Sequence, residues 1–309
     1  MGKVLLTGAT GQVGRSLARR LGAMGMHVVG VGRRAEVLQT LADELGREIF
    51  VPLVSDLTGG DFIAAMAEHA PFDVLVHTAG ATATNCSLRE LYAHNAAATA
   101  RLLEGVKGRV GHVVYFSTID VYGLPQSCPI AEDHVTLPAT YYGASKLAGE
   151  EYVRLFAADQ NIPAVSLRVS SIYGSGGKPN GAMSVFLRNA LARQPLQVMG
   201  DGSELRDYLY VEDAAEGACR AIEQRLDGVF NLGGGAPISI QDLSLLVREL
   251  AQSPTGVEFS PRTRPQYDLF LDIRKLGKVT GFSPRTSLPE GVALELMLLR
   301  AAGTSVDIT

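Results

Sequence analysis

The sequence predicts a doubly wound α/β fold, in which helices cover both faces of a parallel sheet. Short apolar runs rich in Val, Ile and Leu alternate with longer helical patterns through the first half of the chain, as buried parallel strands and their crossover helices do. A glycine-rich loop directly follows the first of these runs. The predicted strands span residues 4–7, 27–31, 49–52, 73–77, 112–117 and 164–169. The predicted helices between them begin near Gln12, Ala35, Asp61, Leu88 and Thr140.

The pattern changes after residue 169, where glycines and a proline cluster between Gly174 and Gly181. Further helices are predicted at residues 183–193, 211–224, 240–251 and 289–300. A short apolar strand at 229–232 could return to the main sheet. We therefore expect a sheet domain of residues 1–173, rejoined by residues 207–233, and a smaller, discontinuous C-terminal lobe of residues 174–206 and 234–309.

The composition excludes several classes of protein. The 309 residues are 46% hydrophobic and 19% charged, which is typical of a globular chain, and the net charge of −4 gives no reason to expect nucleic acid or membrane as a partner. Cys86, Cys128 and Cys219 lack a Cys-x-x-Cys spacing, so neither a disulfide framework nor a metal site is predicted. The first strand begins at once, which leaves no room for a signal peptide, and we expect a cytoplasmic protein.

The loop at residues 8–14 (GATGQVG) lies between the first strand and the first helix. Its glycines permit a tight turn and a close approach of the backbone to a pyrophosphate, while the helix start offers free N–H groups. This context predicts a dinucleotide-binding domain of the Rossmann type. The contacts expected from the loop are made by Gly8, Thr10, Gly11, Gln12, Val13 and Gly14.

The end of the second strand indicates which dinucleotide binds. NAD sites usually place an acidic residue there, whereas this chain has Arg33 and Arg34, which suit the 2′-phosphate of NADP. We therefore expect NADP(H) to be preferred, with NAD(H) possible; the alternative is a pair of solvated arginines at a helix start. After the third strand, Asp56 and Leu57 are expected near the adenine, although Asp56 could instead cap a turn.

Tyr142 and Lys146 form the clearest catalytic candidate. At positions i and i+4 of the helix that begins near Thr140 they share one face, so the lysine is expected to lower the pKa of the phenol. Such a phenol can act as an acid or a base on a carbinol. The neighbouring Tyr141 would point elsewhere.

With these motifs, the chain resembles the extended short-chain dehydrogenases/reductases of the nucleotide-sugar epimerase/dehydratase family. The resemblance covers nearly the whole chain. Beside the glycine loop and the Tyr/Lys pair, it is carried by residues 72–80 (FDVLVHTAG), 95–104 (NAAATARLLE), 116–123 (FSTIDVYG), 167–174 (LRVSSIYG), 200–208 (GDGSELRDY), 211–213 (VED) and 230–233 (FNLG).

The resemblance implies roles for further residues. It makes Thr118 the hydroxyl that binds the substrate carbinol, in a triad with Tyr142 and Lys146. It implies cofactor contacts from Thr78, Ala79, Gly80, Asn95, Tyr142 and Lys146. It implies substrate contacts from Thr118, from Ser171 in place of the family's asparagine, and from the phosphate-binding arginines Arg206 and Arg264, with Arg262 as the alternative to Arg264. Asn95 could instead cap a helix or lie on the surface, and Arg206 could form a salt bridge with Asp207 or Glu204.

The resemblance also implies the reaction class, which is redox at a secondary alcohol or ketone of a nucleoside diphosphate sugar. Dehydration is disfavoured because Ile119 replaces the family's general acid, and the role of Asp120 stays open. Our main expectation is a 4-ketoreductase, because an NADP site favours net reduction. The alternatives are a 4-epimerase with tightly bound NAD(P), a non-enzymatic NADP sensor and a reductase of non-nucleotide ketones. A homodimer is expected through a four-helix bundle of residues 88–104 and 140–159.

Overall fold

A computed structural model describes residues 2–82, 86–174, 181–262 and 265–301 of the chain. The strands are β1 (Lys3–Thr7), β2 (His27–Gly32), β3 (Phe50–Val54), β4 (Val74–His77), β5 (Val113–Phe116), β6 (Ala164–Val169), β7 (Ser171–Tyr173), β8 (Leu196–Met199), β9 (Leu205–Arg206), β10 (Tyr208–Tyr210), β11 (Gly228–Leu232), β12 (Ile238–Ser239) and β13 (Val257–Ser260). The α-helices are α1 (Gln12–Ala23), α2 (Ala35–Leu45), α3 (Phe62–Ala67), α4 (Leu88–Leu91), α5 (Ala98–Gly105), α6 (Tyr141–Gln160), α7 (Ala182–Leu191), α8 (Val211–Glu223), α9 (Ile240–Ala251), α10 (Arg274–Thr280) and α11 (Leu288–Ala301).

A seven-stranded parallel sheet forms the centre of the molecule, in the order β11-β6-β5-β4-β1-β2-β3. This arrangement confirms the predicted fold class. Helices α1, α2 and α8 cover one face with side chains such as Leu17, and helices α3, α5 and α6 cover the other with side chains such as Leu102. The inner strands are buried on both faces, which explains why their sequences are continuous apolar runs.

The last strand of the sheet enters from the far end of the sequence. Strand β11 pairs with β6 in parallel, with Leu232 opposite Val169. The short apolar strand expected at 229–232 therefore does join the main sheet. The division of the chain into two lobes stays a prediction, but a separate apolar cluster is present. Helices α7 and α9 pack on β8, and α11 packs on α9, through residues such as Phe186, Val247 and Leu296.

The helix expected from Leu88 is divided into three parts. It begins with α4, where Ser87 and Glu90 form a capping box, continues as a π-helical segment at Tyr92–Ala97, and ends as α5. A π-helical turn holds an additional residue, which changes the direction of the side chains on it. Asn95 lies in this segment and is buried at 1% exposure.

Within the described ranges, every helix is either too short or too polar to cross a lipid bilayer.

Candidate active site

The candidate residues meet at the carboxyl ends of the central strands, where doubly wound sheets bind their ligands. The glycine loop follows β1, the segment 78–80 follows β4, and Thr118 follows β5. Helix α6 brings Tyr142 and Lys146 to the same edge by packing on β5 and on the π-helical segment. Candidate residues from distant parts of the sequence therefore lie together at one end of the sheet.

The glycine loop has the shape that a pyrophosphate requires. Gly8 has a φ of +74°, and a Cβ there would lie 2.6 Å from Thr78 Oγ1, so neither the conformation nor the space suits another residue. Gly11 is the N-cap of α1, and no side chain caps the N–H groups of the first helical turn, which are the groups that bind phosphates. A Cβ on Gly14 would collide with the carbonyl oxygen of Gly8. These features fit a bound dinucleotide.

Two other residues of the loop have contacts of their own. Gln12 Nε2 donates a hydrogen bond of 2.8 Å to the carbonyl oxygen of Gly174, so the loop is tied to the segment that follows β7. Val13 packs on the apolar cluster of the sheet, and its side chain is partly buried. Thr10 is buried, and its carbonyl oxygen accepts a hydrogen bond from Arg34.

The two arginines expected at the ribose 2′-position are partly engaged within the protein. Arg34 binds the loop carbonyl of Thr10. The Arg33 guanidinium is mostly exposed and lies 3.8 Å from the carboxylate of Asp56. Asp56 also caps a turn, since its Oδ1 accepts hydrogen bonds from the backbone and the hydroxyl of Thr58 at 2.9 and 2.8 Å. Leu57 beside it is buried.

Asn95 links the segment after β4 to helix α6. Its Oδ1 accepts a hydrogen bond of 2.7 Å from the Ala81 backbone, and its Nδ2 donates to Ala81 O at 3.0 Å and to Ser145 Oγ at 2.8 Å. Gly80 lies against it, because a Cβ there would be 2.8 Å from the same Oδ1. Asn95 is thus neither a helix cap nor a surface amide, and it holds two walls of the cleft together.

The segment after β4 is anchored to β1. Thr78 Oγ1 donates a hydrogen bond of 2.8 Å to Thr7 O, and Ala79 packs on the apolar cluster on the other face of the sheet. Beneath them, the buried His77 ring lies between Thr7 Oγ1 at 2.6 Å and Thr99 Oγ1 at 2.9 Å. Burial, aided by the positive charge of Lys146, lowers the pKa of His77 to about 3, so the ring is neutral.

Thr118 and Tyr142 lie at the centre of the candidate site. Thr118 Oγ1 caps a short 3₁₀ turn (Ile119–Tyr122) by accepting a hydrogen bond of 3.2 Å from Asp120 N, and it donates to Asp120 Oδ2 at 3.3 Å. Tyr142 is in the first turn of α6, whose N-cap is Thr140. Burial raises the pKa of Tyr142, and the negative charge of Asp120 raises it further, while a hydrogen bond with the Thr118 side chain lowers it.

The expected lowering of the Tyr142 pKa by Lys146 stays a prediction, because the net shift of this pKa in the structure is upward. Burial dominates the pKa of the phenol and keeps it protonated. Lys146 is buried too, with its Nζ 4.1 Å from the centre of the Tyr115 ring. Burial lowers the pKa of Lys146 to about 7, against the opposing effect of Glu150. A phenolate at Tyr142 thus requires additional positive charge beside it.

The proposed substrate residues are less closely grouped. Arg206 donates hydrogen bonds of 2.9 and 2.6 Å to the carbonyl oxygens of Leu205 and Tyr267, and its guanidinium lies 5.0 Å from the centre of the Tyr267 ring. Among the described residues Arg206 forms no salt bridge with Glu204 or Asp207, and Glu204 pairs instead with Arg262 at 2.8 Å.

The other candidates for the substrate divide between the surface and the undescribed part of the chain. Arg262 also binds Asp201 at 3.2 Å, so its charge is used within the protein. Arg264 lies outside the described residues. Ser171 is exposed at the start of β7, which pairs with β10 in a separate two-stranded sheet.

One buried network was missed in the sequence. Glu150 forms an ion pair of 2.8 Å with Arg168 and accepts a hydrogen bond from Ser117, and the Arg168 guanidinium lies 4.8 Å from the centre of the Tyr122 ring. The spacing could have indicated it: Glu150 is four residues after Lys146 and shares its face of α6. Helix α6 thus carries both Lys146 of the candidate site and Glu150 of the buried network.

The sequence matches one protein family and is similar to several 4-epimerases along most of its length. The chain matches the "NAD dependent epimerase/dehydratase family" over residues 4–233. It is 30% identical over 312 aligned residues to the "UDP-glucose 4-epimerase" of Mycolicibacterium smegmatis, with 96% of this chain and 98% of that protein covered. It is 27% identical to the "Probable UDP-glucuronate 4-epimerase" of Rhizobium meliloti, covering 94% of this chain and 95% of that protein.

A solved structure resembles the whole molecule. The UDP-glucuronic acid 4-epimerase from Bacillus cereus, in complex with UDP-glucuronic acid and NAD, superposes with a TM-score of 0.86 at 27% identity, covering 97% of this chain and 99% of that one. The chain therefore resembles UDP-sugar 4-epimerases in sequence and in fold over nearly its whole length.

Proposed function

As the chain belongs to the NAD-dependent epimerase/dehydratase family, among the extended short-chain dehydrogenases/reductases, we propose that this enzyme is a UDP-sugar 4-epimerase that keeps NAD bound. One observation carries the proposal: the partly buried Tyr142 lies in hydrogen-bond contact with Thr118 and one helical turn before the buried Lys146, in a chain that aligns end to end with 4-epimerases. The main expectation from the sequence, a 4-ketoreductase, is not confirmed, and its epimerase alternative fits the relatives better. The expectation of an enzyme, against a non-enzymatic sensor, is confirmed.

The residues divide the chemistry among them. Thr118 would orient the carbinol hydroxyl through its side-chain oxygen, and Tyr142 would take the hydroxyl proton and later give it back. When bound at the glycine loop, NAD supplies a hydride acceptor and donor, so that the same carbon can be oxidised and then reduced on its other face. Lys146 would bind the nicotinamide ribose and add positive charge beside Tyr142.

The raised pKa of Tyr142 affects when this residue can accept a proton. A phenol that burial keeps protonated is a poor base until positive charge approaches it. The ammonium of Lys146 and the positively charged oxidised cofactor are the charges available in the cleft. Proton removal by Tyr142 would therefore depend on a loaded site, which suits an enzyme that does not exchange its cofactor.

We propose NAD as the resident cofactor, since the similar solved structure contains NAD and the preference for NADP(H) expected from the sequence finds no support there. Arg34 binds the loop carbonyl of Thr10, and the carboxylate of Asp56 lies beside Arg33. A 2′-phosphate would have to compete for both arginines and would approach a negative charge. Mass spectrometry of the dinucleotide released from the purified protein tests this, and NADP as the released species would refute it.

The activity itself is tested with UDP-glucose. We expect the purified protein to convert it to its 4-epimer without added cofactor and without net change in absorbance at the nicotinamide band. Replacing Tyr142 by phenylalanine should lower the rate by about 10²- to 10⁴-fold while the bound dinucleotide is kept. The control is Tyr141→Phe, because Tyr141 is the adjacent tyrosine and 66% exposed.

Two outcomes would contradict the proposal. Steady consumption of reduced cofactor with a nucleoside diphosphate 4-keto sugar, together with no inversion of UDP-glucose, would support the 4-ketoreductase instead. Equal loss of activity in the Tyr141 and Tyr142 variants would remove the assignment of the proton-transfer residue.

We also propose that the enzyme forms a homodimer through α6 and the α4–α5 segment. These helices pack together in the protomer, and Tyr92 and Leu155 on them are large apolar side chains that are more than half exposed. A symmetric contact between two copies would bury both.

A further inference from the structure

Asp120 is a charged residue of the cleft that the proposed mechanism does not use. Its side chain is partly buried at the start of the 3₁₀ turn, directly beyond Thr118. The carboxylate accepts a hydrogen bond of 3.3 Å from Thr118 Oγ1, and its charge raises the pKa of Tyr142. Asp120 therefore lies beside both residues that are proposed to bind the reacting carbinol.

The carboxylate also lies within electrostatic range of the proposed phosphate-binding residue. Burial raises the pKa of Asp120, and the hydrogen bond with Thr118 and the positive charge of Arg206 oppose this rise. In the described part of the chain, the ion pairs leave Asp120 without an arginine or lysine in direct contact. Its negative charge is consequently not neutralised at short range and is felt in the space between the two ends of the site.

A UDP-sugar bound as proposed would place its hexose ring in that space. The reacting carbon would be held by Thr118 and Tyr142, and the diphosphate by Arg206. The ring substituents next to the reacting carbon would then face Asp120. A neutral hydroxyl there can donate a hydrogen bond to a carboxylate, whereas a second carboxylate would be repelled in a partly desolvated cleft.

We propose that Asp120 is a specificity-determining residue, which selects a UDP-hexose with a neutral hydroxymethyl group and rejects a UDP-hexuronate with a carboxylate in its place. The inference rests on the proposed function and narrows its substrate class. The relatives are divided on this point, since one carries the name of a UDP-glucose 4-epimerase and another that of a UDP-glucuronate 4-epimerase. Like charges separated by several ångströms in such a site change an affinity by about 10- to 100-fold.

Binding and turnover are measured separately, on protein saturated with NAD. Isothermal titration with UDP-glucose and UDP-glucuronic acid gives the ratio of the two dissociation constants. We expect the wild-type protein to bind UDP-glucose at least about tenfold more tightly. Asp120→Asn, which keeps the shape and removes the charge, should lower this ratio about tenfold, chiefly by tightening the binding of UDP-glucuronic acid.

The controls separate the charge from other effects. Asp159→Asn removes the same charge at the exposed far end of α6 and should leave the ratio unchanged. Asp120→Ser serves as a second variant without the charge. The proposal is overturned if the wild-type ratio is near one or favours UDP-glucuronic acid, or if both Asp120 variants keep the wild-type ratio.

The same experiment distinguishes this inference from the proposed function. Selective binding without inversion of either sugar would overturn the 4-epimerase and support the role of Asp120. Inversion of both sugars, bound with equal affinity, would support the 4-epimerase and overturn the role of Asp120. Absence of binding by both sugars would overturn both proposals.

Discussion

Replacing Glu150 by glutamine removes the negative charge from the most deeply buried ion pair of the site. The Glu150 and Arg168 side chains are 4% and 7% exposed, and Arg168 donates to the carboxylate at 2.8, 3.1 and 3.2 Å. A glutamine keeps the size of the side chain but leaves the guanidinium without a counter-charge. Breaking a buried pair in this way costs about 3–5 kcal/mol of stability.

The adjacent residue on α6 provides a matched control. Glu151 forms an ion pair of the same length, 2.8 Å, with Arg154, but both side chains are more than half exposed. Exposed pairs contribute about 0–1 kcal/mol. The free energies of unfolding of Glu150→Gln and Glu151→Gln should therefore differ by at least about 2 kcal/mol.

Urea unfolding followed by circular dichroism measures both variants against the wild type. Adding Arg168→Met to Glu150→Gln removes the isolated charge and should recover most of the loss. If Glu150→Gln costs less than about 1 kcal/mol, the reasoning from burial is refuted.

The same substitution has a second readout that a purely structural role would leave unchanged. Glu150 raises the pKa of Lys146, which burial otherwise lowers to about 7. Glutamine should lower the pKa of Lys146 further, so that the ammonium is lost at a lower pH. The alkaline limb of the pH–activity profile should then move to lower pH in Glu150→Gln and stay in place in Glu151→Gln.

Three further predictions concern the cofactor loop, the buried histidine and the assembly. Gly14→Ala should lower the content of bound dinucleotide by more than about tenfold, because the added Cβ would collide with the backbone carbonyl of Gly8. The dinucleotide is measured in the extract of the denatured protein. The control Gly60→Ala, whose Cβ would meet open space, should leave the content unchanged. The pKa of His77 lies near 3, below about 6.5 in the unfolded chain, so only the unfolded state gains a proton as the pH falls through this window. Stability should decrease by about 2 kcal/mol from this ring between pH 7 and 5, and urea unfolding at both values should show a smaller decrease in His77→Gln. Light scattering should give the mass of a dimer for the wild type and a smaller mass after Tyr92→Glu or Leu155→Glu; a monomeric wild type would remove the proposed interface.

The parts of the fold that were predictable depend on short-range patterns. Buried parallel strands are apolar on both faces, so six strands of the sheet, and then β11, were visible as apolar runs. The positions of Tyr142 and Lys146 on one face of α6 follow from the helical repeat. Helices α8 and α9 begin where their patterns indicated.

The remainder depends on three-dimensional contacts that a linear pattern does not contain. The π-helical segment adds a residue to a turn without altering the apolar spacing enough to be visible, so the spacing alone did not predict the inward position of Asn95, which only the family resemblance implied. The pKa of Tyr142 is set by how completely other elements cover the ring. The engagement of Arg262 with Glu204 joins residues far apart in the chain.

The late entry of β11 into the sheet has a consequence for how the protein is made. Strand β6 is complete at Val169, but its outer edge finds a partner only when Gly228–Leu232 has been synthesised. Until then a ribosome-bound chain presents an open strand edge, which is the kind of surface that recruits other chains or chaperones. Translation that stops before residue 228 should therefore give an aggregation-prone fragment, even though every residue of the glycine loop and of the Tyr142–Lys146 pair is already in it.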